Sequence, residues 1–408
     1  MKQGWEIKKL DEIIESNIIG LTRNTKEQSI LFKYKYVKMN NITKNNSFDF
    51  SNYTCVNADI DEINKFSLIN GDFLFNTRNS YELVGKTCIF ENKSQEKILF
   101  NNNIMRIRFK KDISSKFINY LFTSVELIEE INKLKSGTTN VFAIYFKDLK
   151  NLNINIPPLP EQERIVSILD KAFSAIDQAK QNAEKNLKNA KELFDSYLNG
   201  IFTNKGDDWI SSTIGETCKL MTGGTPSTSK KEYYESGNIK WLVSGDINQK
   251  EIFDCEGRIT ELGLENSNAR YLPVNSVLIA LNGQGKTRGT VAMLRTKATC
   301  NQSLVSIYPN DANKILPELI FANLDGRYDD IRKLTGDSGN DRRGLNMPII
   351  RNINFSYPQS LEEQQTIVRQ LDAMRTETQR LEEIYQQKII ELDELKKSIL
   401  QKAFNGEL

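Results

Sequence analysis

Two long stretches of this chain repeat apolar residues at steps of three and four, and the rest of it does not. Between 161 and 202 the apolar positions are Ile165, Leu169, Ala172, Ile176, Ala179, Ala183, Leu187, Ala190, Phe194, Tyr197 and Ile201. Between 362 and 404 they are Ile367, Leu371, Met374, Leu381, Tyr385, Leu392, Leu395 and Ile399. That rhythm puts apolar side chains on one face of an α-helix. Neither stretch has an internal proline, and Gly200 alone interrupts, near an end. The pattern predicts two amphipathic helices of about 40 residues, each about 60 Å long. Pro160 marks one start, and Ser360, three residues before Glu363, gives the other a capping-box pattern.

An apolar stripe of that length cannot stay in water, and the chain holds one matching partner for each. The expectation is an antiparallel intramolecular coiled coil. Its packing positions are Ile165, Leu169, Ile176, Leu187 and Phe194 on one helix, and Ile367, Leu371, Leu381, Leu392 and Leu395 on the other. The alternative is that each helix packs on its own neighbouring domain.

Residues 1–156 and 207–358 read differently. They carry short β-like runs at 31–39, 73–76, 103–109, 276–281 and 302–308, divided by Gly, Asn and Ser turns, with helical patches at 117–134 and 317–334. The chain is also written twice. Glu161-Gln162 with Ile165, Val166, Leu169 and Asp170 recurs as Glu363-Gln364 with Ile367, Val368, Leu371 and Asp372, 202 residues on. Trp5 and Trp209 open the two copies. The predicted fold class is α+β: two similar mixed domains, 1–156 and 207–358, separated by long helical spacers, 157–206 and 359–408. Repeats of this kind suggest a pseudo-twofold relation, with one domain at each end of the helical pair.

Charge narrows the function less than its distribution does. The net charge is +2, yet 1–156 holds 23 Lys and Arg against 18 Asp and Glu, while 207–358 holds 18 of each. Nucleic-acid binding would rest on local clusters or on a partner subunit. The chain has no histidine, which excludes a Ser-His-Asp triad, an H-E-x-x-H zinc site and a histidine base. Cys55, Cys88, Cys218, Cys255 and Cys300 have no C-x-x-C spacing and read as reduced, mostly buried thiols. With no apolar run of about 18 residues and no signal peptide, the expected location is cytoplasmic.

Ala280-Leu-Asn-Gly-Gln-Gly-Lys286-Thr287 fits a loose phosphate-loop pattern, but helix-poor residues follow it where a helix N-terminus is needed. The same loop suits base edges and phosphates better, through Asn282, Gln284, Lys286 and Arg288. The first copy has a similar loop with Arg78, Asn79 and Lys86, after a comparable β-run. A further loop with Lys135, Thr138 and Asn140 corresponds to one with Asn340, Arg342 and Arg343. The second domain adds Thr225, Ser227 and Lys230. In the first, Lys33 and Lys35 alternate with tyrosines in a phosphate-contacting strand or a plain solvated edge. These are candidate DNA contacts, each weighed against an ordinary polar loop. No methyltransferase motif, catalytic set or metal cluster accompanies them.

The chain resembles the specificity subunits of type I restriction-modification systems over essentially its whole length. The likeness rests on Trp5 and Trp209, Gly223-Gly-Thr-Pro-Ser227, Gly283-Gln-Gly-Lys-Thr-Arg-Gly289, Cys300-Asn-Gln-Ser303, and Ile156-Pro-Pro-Leu-Pro-Glu-Gln162 leading into the long helix. The second copy departs at Tyr357-Pro-Gln-Ser-Leu-Glu-Glu-Gln364. The resemblance implies two target-recognition domains reading the halves of a split double-stranded DNA sequence, with no catalysis of their own. It also implies two modification (methyltransferase) subunits docked on the helices, and restriction (translocase and nuclease) subunits. S-adenosylmethionine, ATP and Mg would bind to those partners and not to this chain. A protein-interaction scaffold and a nucleotide hydrolase using Lys286 are the rival readings.

Overall fold

The computed structural model describes residues 4–92, 96–138, 140–283, 287–335 and 344–408. The chain folds as two compact units, Met1–Ala183 with Gln387–Leu408, and Glu184–Gln386. Each unit takes one mixed domain and a length of both long helices. This differs from the boundaries expected above, which set the helices apart, and the reason lies in how the helical stripes are buried.

In the first unit an antiparallel four-stranded sheet runs Ile14–Ile19, Ile104–Phe109, Phe73–Asn76, Thr87–Ile89. A second sheet orders Thr54–Val56, Tyr34–Val37 and Ile98–Phe100, the last pair parallel. The second unit repeats the order of both sheets and adds one strand to the first of them. Cys218–Thr222, Leu304–Pro309, Val277–Ala280 and Val291–Leu294 form its main sheet, extended by Glu251–Ile252. Arg258–Ile259, Ile239–Leu242 and Thr299–Cys300 form the smaller one, again with a parallel last pair. Each domain is closed by a ribbon of its first and last strands, Glu6–Lys9 with Asn153–Ile156 and Trp209–Thr213 with Asn354–Pro358.

Phe73–Asn76 and Val277–Ala280 are buried at every residue, so both faces of these central strands are covered. That is why they read as continuous apolar runs without alternation. The expected helical patches each split in two, into Ser115–Leu121 and Val125–Lys133, and into Pro317–Asp325 and Tyr328–Lys333. Ser124 causes the first break, because its side chain caps the next helix by accepting from Leu127 N–H.

The long helices run Leu159–Thr203 and Leu361–Phe404. The Ser360 hydroxyl accepts from Glu363 N–H at 3.4 Å, as its position predicted. In the first unit Ile165, Val166, Leu169, Phe173 and Ile176 share one core with Leu10, Phe117 and Ile154 of the domain, and with Leu400 and Ala403 of the second helix. Lys180 with Asp393 at 2.7 Å and Lys396 with Asp177 at 3.0 Å show the helices antiparallel there. In the second unit Leu198 joins Ile367 and Leu371 in the domain core, and the Arg375 guanidinium lies 5.0 Å over the Phe194 ring. Helix-on-helix and helix-on-domain packing therefore coexist on one stripe.

Leu187, Phe194, Leu381 and Leu392 are half-buried. Leu395 is a correction: it is 47% exposed and lies off the seam. At about 100° per residue, Leu392, Ile399 and Ala403 share a face that leaves Leu395 to one side. Lys396 takes its place, spreading its stem against Phe173 with Nζ 4.7 Å from the ring centre.

The repeated Glu-Gln pair has a structural cause. Gln162 is fully buried, and its Oε1 accepts from Ser114 N–H at 2.8 Å. Its Nε2 donates to the carbonyls of Asp112 and Pro157. Gln364 repeats this with Leu316 N–H at 2.9 Å and the carbonyls of Lys314 and Pro358. Each glutamine pins the start of a long helix to the start of a helix in its own domain.

Candidate nucleic-acid interface

Both main sheets send out a hairpin loop from their central strands. In the first unit residues 77–86 join Phe73–Asn76 to Thr87–Ile89. In the second, residues 281–290 join Val277–Ala280 to Val291–Leu294. The chain leaving the second loop thus enters an antiparallel strand. A strand rather than a helix N-terminus follows the loop, and a phosphate loop needs the latter.

The first hairpin is built out into a small sheet. Arg78–Asn79 pairs with Val141–Ala143, which pairs with Ser136–Thr138. Arg78, Thr138 and Asn140 are exposed, and Asn79 Oδ1 accepts from Ser80 N–H at 2.9 Å. Gly137 is where the ribbon is tightest: a Cβ there would sit 2.2 Å from the Val141 carbonyl oxygen. Lys135 Nζ donates to the Tyr81 carbonyl at 2.6 Å and lies 4.4 Å over the Tyr81 ring, itself edge-on to Phe142. Burial holds the Lys135 ammonium below the usual lysine range, against the pull of Glu82. Lys86 is lowered too, by burial first and then by Lys44 and Lys135. The structure therefore brings Arg78, Asn79, Lys86, Lys135, Thr138 and Asn140 onto one region, and adds Lys44.

Lys44 was not singled out by sequence, nor were Tyr81, Val141 and Phe142. It sits on a turn closed by Thr43 N–H to the Ser47 carbonyl. Asn46 on that turn adopts φ +55° and donates to Thr87 Oγ1, while Asn119 donates to the Asn46 carbonyl. The Thr-Lys-Asn-Asn-Ser composition of 43–47 was the available signal for a turn.

Lys33 and Lys35 lie elsewhere. Lys33 is exposed ahead of the strand, 5.3 Å from the Tyr34 ring centre. Lys35 pairs with Glu96 at 2.6 Å and lies over the Phe50 and Tyr53 rings. Tyr36 and Val37, on opposite faces of the strand, are both buried, Tyr36 donating to the Leu21 carbonyl. The alternation of cations with aromatics does not make an open phosphate-binding face. This strand is the middle one of its sheet, and only its leading end is free.

In the second unit the Gly223–Ser227 stretch crosses the Cys300–Ser303 stretch. Gly224 N–H donates to the Cys300 carbonyl at 3.0 Å and Thr225 Oγ1 to Gln302 Oε1 at 2.6 Å. A Cβ at Gly223 would fall 1.8 Å from the Cys300 carbonyl oxygen, so glycine is required for the crossing. Trp241 Nε1 donates to the Gly224 carbonyl from below. Ser227 is hydrogen-bonded to Ser229, and Lys230 donates to Tyr233 Oη at 3.0 Å. Asn282 is exposed. Arg288 is a correction to its expected role at the surface: it is only 8% exposed, because the turn at 287–290 already leads into the buried strand. Gln284, Lys286, Asn340, Arg342 and Arg343 lie outside the described residues.

All five cysteines are buried and unpaired with one another. Burial pushes Cys218 up to about 11 and Cys300 up to about 12. Among the described residues no group of three His, Cys, Asp or Glu is placed to hold a metal ion, and no helix is long and apolar enough to cross a membrane.

Comparison with known proteins agrees with this duplicated architecture. The EcoR124I/EcoR124II type I restriction enzyme specificity subunit of Escherichia coli is 29% identical over 240 residues, which span 57% of this chain and 58% of that subunit. A Methanocaldococcus jannaschii protein described as "Putative type I restriction enzyme MjaX specificity subunit" is 25% identical over 100% of this chain and 94% of its own length. The fold is that of the HsdS subunit from Thermoanaerobacter tengcongensis, with a TM-score of 0.65 at 18% identity, covering 100% of this chain and 98% of that one. A chain from a type I restriction-modification system structure gives 0.71 at 19% identity, covering 100% and 99%. The model of the type I restriction modification DNA specificity domain matches twice, at 2–188 and 206–391. The chain belongs to that family, with two copies of its domain in tandem.

Proposed function

We propose that this protein is the specificity subunit of a type I restriction-modification complex, in which each mixed domain reads one half of a bipartite double-stranded DNA target. The observation that carries this reading is the duplication of a domain in which two sheets and a closing ribbon recur in the same strand order, with a polar hairpin loop at the main sheet. Two similar readers on one chain suit a split sequence. The likeness to specificity subunits from two organisms supports the same role.

In this proposal the paired helices act as a ruler. At about 1.5 Å per residue they are roughly 65 Å long, about two turns of duplex DNA. They hold the readers at a set spacing and leave the intervening bases unread. This chain is a recogniser without chemistry of its own. Modification subunits, two by the symmetry of the repeats, would bring S-adenosylmethionine and methylate the target. Restriction subunits would bring ATP and Mg for translocation and cleavage.

The ruler is tested by deleting seven residues, about two helical turns, from the middle of each helix. Methylome sequencing of cells expressing the shortened chain with its modification subunit should show both half-sites kept and a gap shorter by about three base pairs, from ~3.4 Å per pair. An unchanged gap contradicts the ruler.

A further inference from the structure

The cations of the first unit differ in their partners, and those around the hairpin at 77–86 stand out by lying close together. Lys8, Arg23, Lys35, Arg108, Lys116 and Lys133 each lie against a carboxylate within 4 Å. Lys44, Arg78 and Lys86 have no carboxylate partner among the described residues, and Lys135 donates only to a carbonyl oxygen. These four gather around the hairpin at 77–86. Lys44 and Lys135 both act against the charge on Lys86, Glu82 offsets only part of the charge at Lys135, and Lys86 and Lys135 are partly desolvated as well. A compact domain bears that cost where a polyanion relieves it.

Beside this cluster stands the small sheet of Arg78–Asn79, Val141–Ala143 and Ser136–Thr138, whose last two strands run on past Arg78–Asn79 as a two-stranded ribbon. Its outer row is Thr138 opposite Val141, and both are exposed, Val141 at 52%. Asn140 next to them is exposed too. The tip thus presents an aliphatic group between an amide and a hydroxyl. A ribbon of two strands has the width of a DNA major groove, where an amide can pair with adenine and an aliphatic group can meet a thymine methyl.

We propose that this ribbon enters the major groove of the first half-site, with Thr138, Asn140 and Val141 on base edges, while Lys44, Lys86 and Lys135 at its foot grip the flanking phosphates. The proposal rests on the DNA-reading function above and divides its labour. Lys135 is the fixed post: Tyr81 holds it by its carbonyl and ring, and Phe142 holds Tyr81 from the ribbon itself. Lys135 is therefore joined to the ribbon through Tyr81 and Phe142. Asn46 and Asn119 tie the Lys44 turn to the neighbouring strand in the same way.

The test uses the complex of this chain with its modification subunits, bound to a duplex carrying the methylated sequence, over a range of salt. Lys44→Gln, Lys86→Gln and Lys135→Gln together should lower the slope of log affinity against log salt by about three, near one per phosphate contact, with the recognised sequence unchanged. A charge-matched control, Lys110→Gln, Lys111→Gln and Lys147→Gln, should move it by less than about one. Should the triple variant fold poorly, Lys44→Gln alone, on an exposed turn, should still lower the slope by about one. Asn140→Ala and Val141→Ala should relax the methylated sequence at the first half-site only, leaving the slope alone. A slope unmoved by the cluster variant, or moved equally by the control, overturns the phosphate grip. An unrelaxed first half-site overturns the ribbon as reader. A wild-type complex that does not prefer its own sequence over a scrambled duplex fails earlier, at the DNA-reading function itself.

Discussion

Gln162 and Gln364 show how much a single buried amide can settle. Each is itself fully enclosed and bonds one backbone N–H and two carbonyls, the Pro157 and Pro358 bonds being the buried ones. Gln162→Leu keeps the volume and removes all three bonds. Leaving such groups unsatisfied costs about 1–3 kcal/mol apiece before relaxation. We expect a loss of about 3 kcal/mol for Gln162→Leu and a similar loss for Gln364→Leu, read by urea denaturation; a change under about 1 kcal/mol in either would contradict the assigned role. Burial of the thiols gives a second expectation. The folded values of Cys218 and Cys300 lie above the ordinary 9.0, so the folded state binds more protons than the unfolded one above that pH. Their contribution to stability is intact below pH 9.0 and declines as the pH rises toward about 12. A thiol reagent at pH 8 should leave the native protein unmodified and react only after denaturant is added.

At the scale of elements, the long helices carry the clearest consequences. Leu169 is buried where helix, domain and returning helix meet, whereas Leu395 is nearly half exposed. Leu169→Ala should cost about 2–4 kcal/mol and Leu395→Ala less than about 0.5 kcal/mol, by thermal or chemical denaturation. Equal costs would restore Leu395 to the seam. The hairpin at 281–290 yields another expectation: with a strand after it and no helix, the isolated chain should not turn over ATP, and Lys286→Ala should change nothing in that assay. The helices were legible because 3.6-residue periodicity sustained over about 40 residues has no other reading. The duplication was legible because it survives as residue identities, Glu161-Gln162 and Glu363-Gln364 above all. The strand at 31–39 shrank to Tyr34–Val37 because Ser29 and Phe32 close a turn that alternation alone does not reveal. The cluster of Lys44 with Lys86 and Lys135 joins residues up to 91 positions apart in sequence. Only strand pairing assembles it, so no local motif could mark it.

For the whole molecule, the central claim is that two copies of one fold read two halves of one target. The duplicated strand orders make each domain an independent module, with its own core and its own glutamine-anchored helix start. Modules of this kind should exchange without disturbing each other. The most direct measurement replaces residues 5–156 with the equivalent domain of another family member, keeping both long helices and the second domain. The hybrid is expressed with the modification subunit, and the methylated sequence is read genome-wide. A methylated sequence with one half changed, the other half kept and the gap preserved is the predicted result. Both halves changing together, or neither changing, would contradict it.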